Sequence, residues 1–307
     1  MAATILRQTL IMLILIFVGI SCSKLKIISK EANADLSKLV LQVVNPVVIF
    51  MSYQTSYDSQ LVRNLLITFG LSILSMAIVI LFATVFIRRK DGRDFEVERF
   101  SAIYSNCGFM GIPLIQALFG LEGVFCLTAY ITVFNLLVWT HGIVLISGQR
   151  SLKGFLKVLR SPVIIAIFLG ITTFFLRIRL PQIPSDALTF ISNLNTPLAM
   201  IVSGVTMADA DVLKVLKNGR VYYICLLKLV ILPTIAIAVL SLFDPDPLLL
   251  SIVGIAAAAP PAAMGTLLSS QYKRNSLYAS EIFTAGTILS VIFLPVIAEI
   301  TEFFTKI

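Results

Sequence analysis

Apolar residues fall along the chain in ten runs, near 4–21, 37–54, 62–87, 97–119, 122–147, 161–177, 186–207, 220–242, 248–269 and 277–303. Charged or Pro/Gly-rich breaks separate them. A helix of about 20 apolar residues crosses a hydrocarbon core about 30 Å thick, so the pattern predicts an all-α polytopic membrane protein with ten transmembrane helices. The connections are too short for a soluble domain. The first run, with a basic residue near its start and small residues before Cys22, has features of a cleaved secretory leader or a lipoprotein anchor. The nine runs behind it favour an uncleaved first helix.

Basic residues alternate with the runs. Connections on one side hold eighteen: Lys24, Lys26, Lys30, Lys38, Arg88, Arg89, Lys90, Arg93, Arg99, Arg150, Lys153, Lys157, Arg160, Lys214, Lys217, Arg220, Lys273 and Arg274. The other side holds five: Arg7, Arg63, Arg177, Arg179 and Lys306. Cytoplasmic connections retain positive charge, so the rich side is read as cytoplasmic and both termini as non-cytoplasmic, in the cell membrane.

Division after the fifth run gives a first five-helix repeat over 1–150 and a second over 151–307, inserted upside down relative to it. This is the arithmetic of a 5+5 inverted repeat. Asn45-Pro46 in run two echoes Asn195-Thr196-Pro197 in run seven, and runs four and nine are the most interrupted by Gly and Pro.

Composition agrees with the pattern. The chain is 58% hydrophobic and 13% charged, against about 45–50% and about 25% in soluble domains, with a mean hydropathy of +0.98. Its formal charge of +8 lies beside apolar runs rather than in a patch with exposed aromatics, which argues against nucleic acid. Cys22, Cys107, Cys126 and Cys225 are scattered singly and read as packing residues. With no GxxxxGK[ST] loop, GxSxG elbow or Cys/His metal set, the sequence gives no support to an enzyme or an ATP-driven pump, and no cofactor or metal is expected.

Chemistry is concentrated in runs four and nine, which read Ser105-Asn106-Cys107-Gly108-Phe109-Met110-Gly111-Ile112-Pro113 and Ala256-Ala257-Ala258-Ala259-Pro260-Pro261-Ala262-Ala263-Met264-Gly265-Thr266. Pro removes a backbone donor and Gly frees the dihedrals, so each run is expected to unwind near its middle. Half-helix N-termini would then offer N–H groups and a positive dipole end to an anion, or the kinks simply shape packing. The candidate substrate residues are Asn106, Gly108, Gly111, Pro113, Pro260, Pro261, Asn135 and Lys228. Asn106 reads as a ligand or a helix cap. Asn135 is polar at membrane depth. Lys228 is an inward-facing charge, either counter-charge to an anion or a fixed cation where another carrier binds a metal ion, or else it snorkels. Thr284, Thr287 and Ser290 read as structural, Glu281 as a proton site or interfacial cap, His141 as interfacial, and Asp209 and Asp211 as a solvated turn.

At these motifs the chain resembles the auxin efflux carrier family, which joins plant auxin carriers with bacterial permeases for malate, malonate and similar acids. The resemblance rests on Asn106 followed by Met110-Gly111-Ile112-Pro113-Leu114, on Ile27 to Ala32, on Ala199-Met200, Ser203-Gly204 and Met207-Ala208, and on Thr287, Ser290, Leu294 and Pro295. It implies a fold like that of bile acid and sodium/proton carriers. Helices 4 and 9 would cross at their prolines, helices 1, 2, 6 and 7 form a scaffold, helices 3–5 and 8–10 form a moving bundle, and the scaffold make a homodimer. Pro260-Pro261-Ala262-Ala263 departs from the Pro-Gln-Gly segment of plant carriers, and their long cytoplasmic loop is absent. The expected function is therefore elevator-type transport, in the efflux direction, of a small organic anion such as a carboxylate or auxin-like acid. A proton- or sodium-coupled symporter of the same fold and a non-transporting receptor are the alternatives.

Overall fold

The computed structural model describes residues 1–90, 92–148, 160–208 and 218–305. Within these the regular elements are helices: α1 (Ala2–Lys24), α2 (Lys30–Ser52), α3 (Ser59–Phe86), α4 (Phe95–Ile103), α5 (Cys107–Ser147), α6 (Pro162–Phe175), α7 (Gln182–Met207), α8 (Gly219–Ser241), α9 (Pro247–Ala258), α10 (Met264–Gln271) and α11 (Ser276–Thr305). Seven of the described helices, α1, α2, α3, α5, α7, α8 and α11, are long and apolar enough to cross a membrane. The described residues are thus those of a polytopic, helical membrane protein.

Seven long helices stand where ten runs were predicted, for three physical reasons. Run four unwinds between α4 and α5, and run nine between α9 and α10. Run six yields a helix of 14 residues. Runs four and five share the 41-residue α5, which kinks at Gly120 (φ 63°, ψ −157°), a conformation open to glycine alone. The expected boundary at 150/151 lies outside the described residues, as do Arg150, Lys153, Lys157, Asp209, Asp211, Lys214, Lys217 and Lys306.

Proline shapes the long helices in a repeated way. Wide turns at Val40–Val44, Cys107–Gly111 and Leu227–Ile231 each run into an X-Pro pair, Asn45-Pro46, Ile112-Pro113 and Leu232-Pro233. A widened turn relieves the clash of the ring with the carbonyl four residues back, so these helices bend rather than stop.

α1 packs along α7, and α2 against α6 and α7. The α1–α7 contact is backbone to backbone: a Cβ on Gly19 would lie 2.2 Å from the carbonyl oxygen of Ile201, and one on Gly204 would lie 2.1 Å from that of Ile16. Small residues permit such approach in lipid, where dispersion and packing replace the hydrophobic drive. α3, α5, α8, α9 and α11 form a second packed group. Between the groups lies a small apolar cluster of Met12, Met110, Met200, Met207, Phe109 and Phe283, separate from the main core. The amino group of Met1 is 3.3 Å from Glu302, so the start of α1 and the end of α11 share one side.

Candidate functional site

α4 ends at Ile103 and α9 at Ala258, and the unwound segments that follow lie antiparallel. Asn106 donates its N–H to the carbonyl of Pro260 at 2.7 Å, and Ala262 donates to the carbonyl of Tyr104 at 2.9 Å. Each segment thus satisfies backbone groups that the break in the other helix leaves open, the requirement for irregular backbone at membrane depth. Gly286 of α11 admits the ring of Pro261, since a Cβ there would come within 2.4 Å of it.

The two sides of this crossing are electrically unlike. On one side the C-terminal carbonyls of α4 and α9 converge on Lys228, whose Nζ donates to Ser105 Oγ at 2.6 Å, to Ala257 O at 2.9 Å and to Ile103 O at 3.4 Å. Ser105 Oγ itself donates to Ala257 O at 3.0 Å. With Lys228 only 1% exposed, snorkelling to the headgroups is overturned. On the other side α5 begins. The carbonyl of Asn106 accepts from Met110 and Gly111 at 2.9 and 3.3 Å, while the N–H groups of Cys107, Gly108 and Phe109 precede the first intrahelical bond. The amide Nδ2 of Asn106 is buried beside them without a hydrogen-bond partner.

Asn45, in the bend of α2, faces this half-helix start: a Cβ on Gly108 would meet its Nδ2 at 3.3 Å, and its Oδ1 is buried and unpartnered. Asn195 is fully buried with both amide atoms unpartnered. The echo of Asn-Pro in runs two and seven is the sequence signal that marks both residues.

The structure gathers Asn106, Gly108, Gly111, Pro113, Pro260, Pro261 and Lys228 at the crossing. Gly111 is tight against Cys107, and Pro113 lies in the first turn after the wide turn, where its absent N–H costs little. Asn135 is not gathered with them, because its Nδ2 donates to Ile131 O one turn back on α5 at 2.8 Å. His141 lies 2.8 Å from the hydroxyl of Tyr104, the residue after α4, rather than facing an interface alone. Of the set read as structural, Thr284 and Thr287 have buried hydroxyls without partners, whereas Ser290 donates to the carbonyl of Thr287 at 2.7 Å. Glu281 is buried one turn inside α11.

A cavity of about 290 Å³ opens between α2 and α7 on one wall and α10 and α11 on the other, lined by Lys30, Asn33, Thr206, Thr266, Ser276 and Ser280 among others. Asn33 donates to Thr206 at 3.0 Å, and the oxygens Asn33 Oδ1 and Thr266 Oγ1 are buried and unpartnered. Thr266 belongs to the first turn of α10, so the cavity reaches the second half-helix of the crossing. At the opposite end of the molecule the groups meet through rings: Tyr53 against Phe125 at 4.7 Å and Phe125 against Phe174 at 5.2 Å.

Charged groups tie α4, α5, α8 and α11 together at the cavity end. Glu98 of α4 accepts from Arg220 Nε and Nη2 at 2.9 and 2.7 Å and from the hydroxyl of Tyr278 at 3.1 Å. Arg274 pairs with Glu96 at 3.2 Å and donates to Ile146 O at 2.9 Å.

Unwound segments apposed inside a polytopic helical protein place half-helix termini where a ligand can reach them, an arrangement characteristic of membrane transporters. The chain belongs to the membrane transport protein family: the family's sequence profile matches residues 4–154 and 149–298. This is the auxin efflux carrier group that the segment from Asn106 to Leu114 resembles. The chain is similar to an uncharacterized transporter of Methanocaldococcus jannaschii, 26% identical over 301 residues covering 91% of this chain and 93% of that protein. It is also similar to one of Methanothermobacter thermautotrophicus, 27% identical over 307 residues covering 94% and 96%.

Proposed function

We propose that the protein is a secondary transporter that exports a small organic anion, a carboxylate or auxin-like acid, by elevator-type alternating access. The observation that carries this reading is the start of α5 at the crossing, where Asn106 is 6% exposed and its Nδ2 is buried without a partner. A carboxylate there would accept from that amide and from the N–H groups of Cys107 and Gly108, at the positive end of a helix dipole. Asn45 would contact it from the opposite group.

On this reading the chain makes ten crossings as two inverted five-helix halves, α4 with the start of α5 and α9 with α10 each counting as one. The scaffold is α1, α2, α6 and α7, and the bundle is α3 to α5 with α8 to α11. Three features favour motion of one against the other. Gly19 and Gly204 lock α1 to α7. Glu98, Arg220, Tyr278 and Arg274 lash the bundle together. Methionines, whose thioethers repack readily, line the interface between them. The cavity beside Lys30 is the cytoplasmic entrance, the Tyr53 cluster closes the outer side, and the termini face outward in the cell membrane. A homodimer through the scaffold is favoured by the exposed Phe168, Ile183 and Phe190 of α6 and α7.

A negative-inside potential drives an anion outward with about 2.3 kcal/mol per 100 mV for each charge, so no coupling ion is needed. The test is uptake of labelled malate, malonate, a long aliphatic acid and indole-3-acetate into proteoliposomes with potential and ion gradients imposed separately. Flux of one acid with potential alone is expected. Flux requiring a proton or sodium gradient would make the protein a symporter, and binding without flux would make it a receptor.

A further inference from the structure

Lys228 raises a question that anion transport does not answer. Its ammonium is enclosed, yet among the described residues no carboxylate forms an ion pair with it; all three of its acceptors are neutral oxygens. Two of these, Ile103 O and Ala257 O, belong to the last turns of α4 and α9, where unpaired carbonyls and the negative dipole ends of two helices coincide. The third, Ser105 Oγ, lies in the unwound segment between α4 and α5. A carbonyl and hydroxyl cage at two converging helix C-termini is the chemistry of a monovalent cation site. Here the cation is covalently attached.

We propose that this cage is a built-in cation site of the crossing, permanently filled by Lys228, and that emptying it converts the protein into one that needs a free monovalent cation. The oxygen distances of 2.6 to 3.4 Å suit an ammonium or potassium ion in place of the side-chain ammonium. Lys228 is then a positioning residue. It neutralises the C-terminal ends of α4 and α9 so that the backbone pairing of Asn106 with Pro260 and of Ala262 with Tyr104 persists. The N-terminal end of α5 keeps its positive character.

The inference rests on the geometry of the cage and is read out by stability, so it stands or falls apart from the transport reading. Purified wild type, Lys228→Ala and Lys228→Met are melted in choline chloride and in increasing potassium, ammonium or ethylammonium chloride at constant ionic strength. Wild type is expected to show no difference between cations. Lys228→Ala is expected to melt lower in choline and to rise by about 5 °C at a small-cation concentration about 100 times its dissociation constant. Lys228→Met, which retains the volume of the stem, is expected to respond less. Adding Ser105→Ala to Lys228→Ala is expected to weaken the response by removing one oxygen. Equal melting of Lys228→Ala in choline and in every small cation would overturn the proposal. If Lys228→Ala does not fold, absence of a cation response in Lys228→Met would overturn it.

Discussion

The hydroxyl of Tyr53 lies 2.5 Å from that of Thr128, joining the end of α2 to the start of the second part of α5. Its ring is fixed on the other face by Gly170, where a Cβ would come within 2.4 Å. This contact links the two groups at the end of the molecule away from the cavity. Tyr53→Ala is expected to open that side. With the other three cysteines replaced, a membrane-impermeant maleimide added outside should label the buried Cys107 several-fold faster in Tyr53→Ala than in the parent. Equal labelling would show that Tyr53 is not a barrier.

Glu98 and Arg220 form a two-pronged ion pair in which the glutamate side chain is 2% exposed while the arginine side chain is a quarter exposed. Arg220→Met strands a buried carboxylate and is expected to destabilise the protein by about 3 kcal/mol, the lower end for a broken buried pair because water reaches the arginine side. Adding Glu98→Gln should recover most of that loss. Melting temperatures of the two singles and the double form the cycle, and strictly additive losses would mean that the pair does not couple α4 to α8.

Gly204 and Gly219 are both helical, but only the first is pressed against another backbone. Gly204→Ala is expected to cost more than 2 kcal/mol or to prevent accumulation in the membrane, because the α1–α7 contact cannot yield. Gly219→Ala, with nothing within 4 Å, should be near neutral. Similar losses for both would remove the case for a locked scaffold pair.

Hydrophobic spacing made the helices legible, and Gly and Pro made the two breaks legible, since both signals are local. Lys228 was visible as a charge at depth, but its direction depended on where α4 and α9 end, which no periodicity in α8 discloses. Asn135 misled for the related reason that an amide in a helix can bond its own preceding turn, and the sequence does not show which way it faces. Asn33, Thr206 and Thr266 carry no pattern of their own. They meet only because α2, α7 and α10 converge, so the cavity they line was invisible. Glu98 carries no signal of its own, because the partner that defines its role, Arg220, lies more than a hundred residues away.

Binding of the transported anion at Asn106 and the start of α5 is read out by current on solid-supported membranes. Proteoliposomes of wild type and Asn106→Ala, matched for amount and melting temperature, receive the acid that the flux panel identifies. Wild type is expected to give an electrogenic current that grows with potential and saturates with acid, and Asn106→Ala is expected to lose at least about tenfold in affinity or all current, as removal of a charge-assisted hydrogen bond at a buried site requires. An Asn106→Ala protein with undiminished current and unchanged half-saturation would contradict the assignment of the crossing as the site.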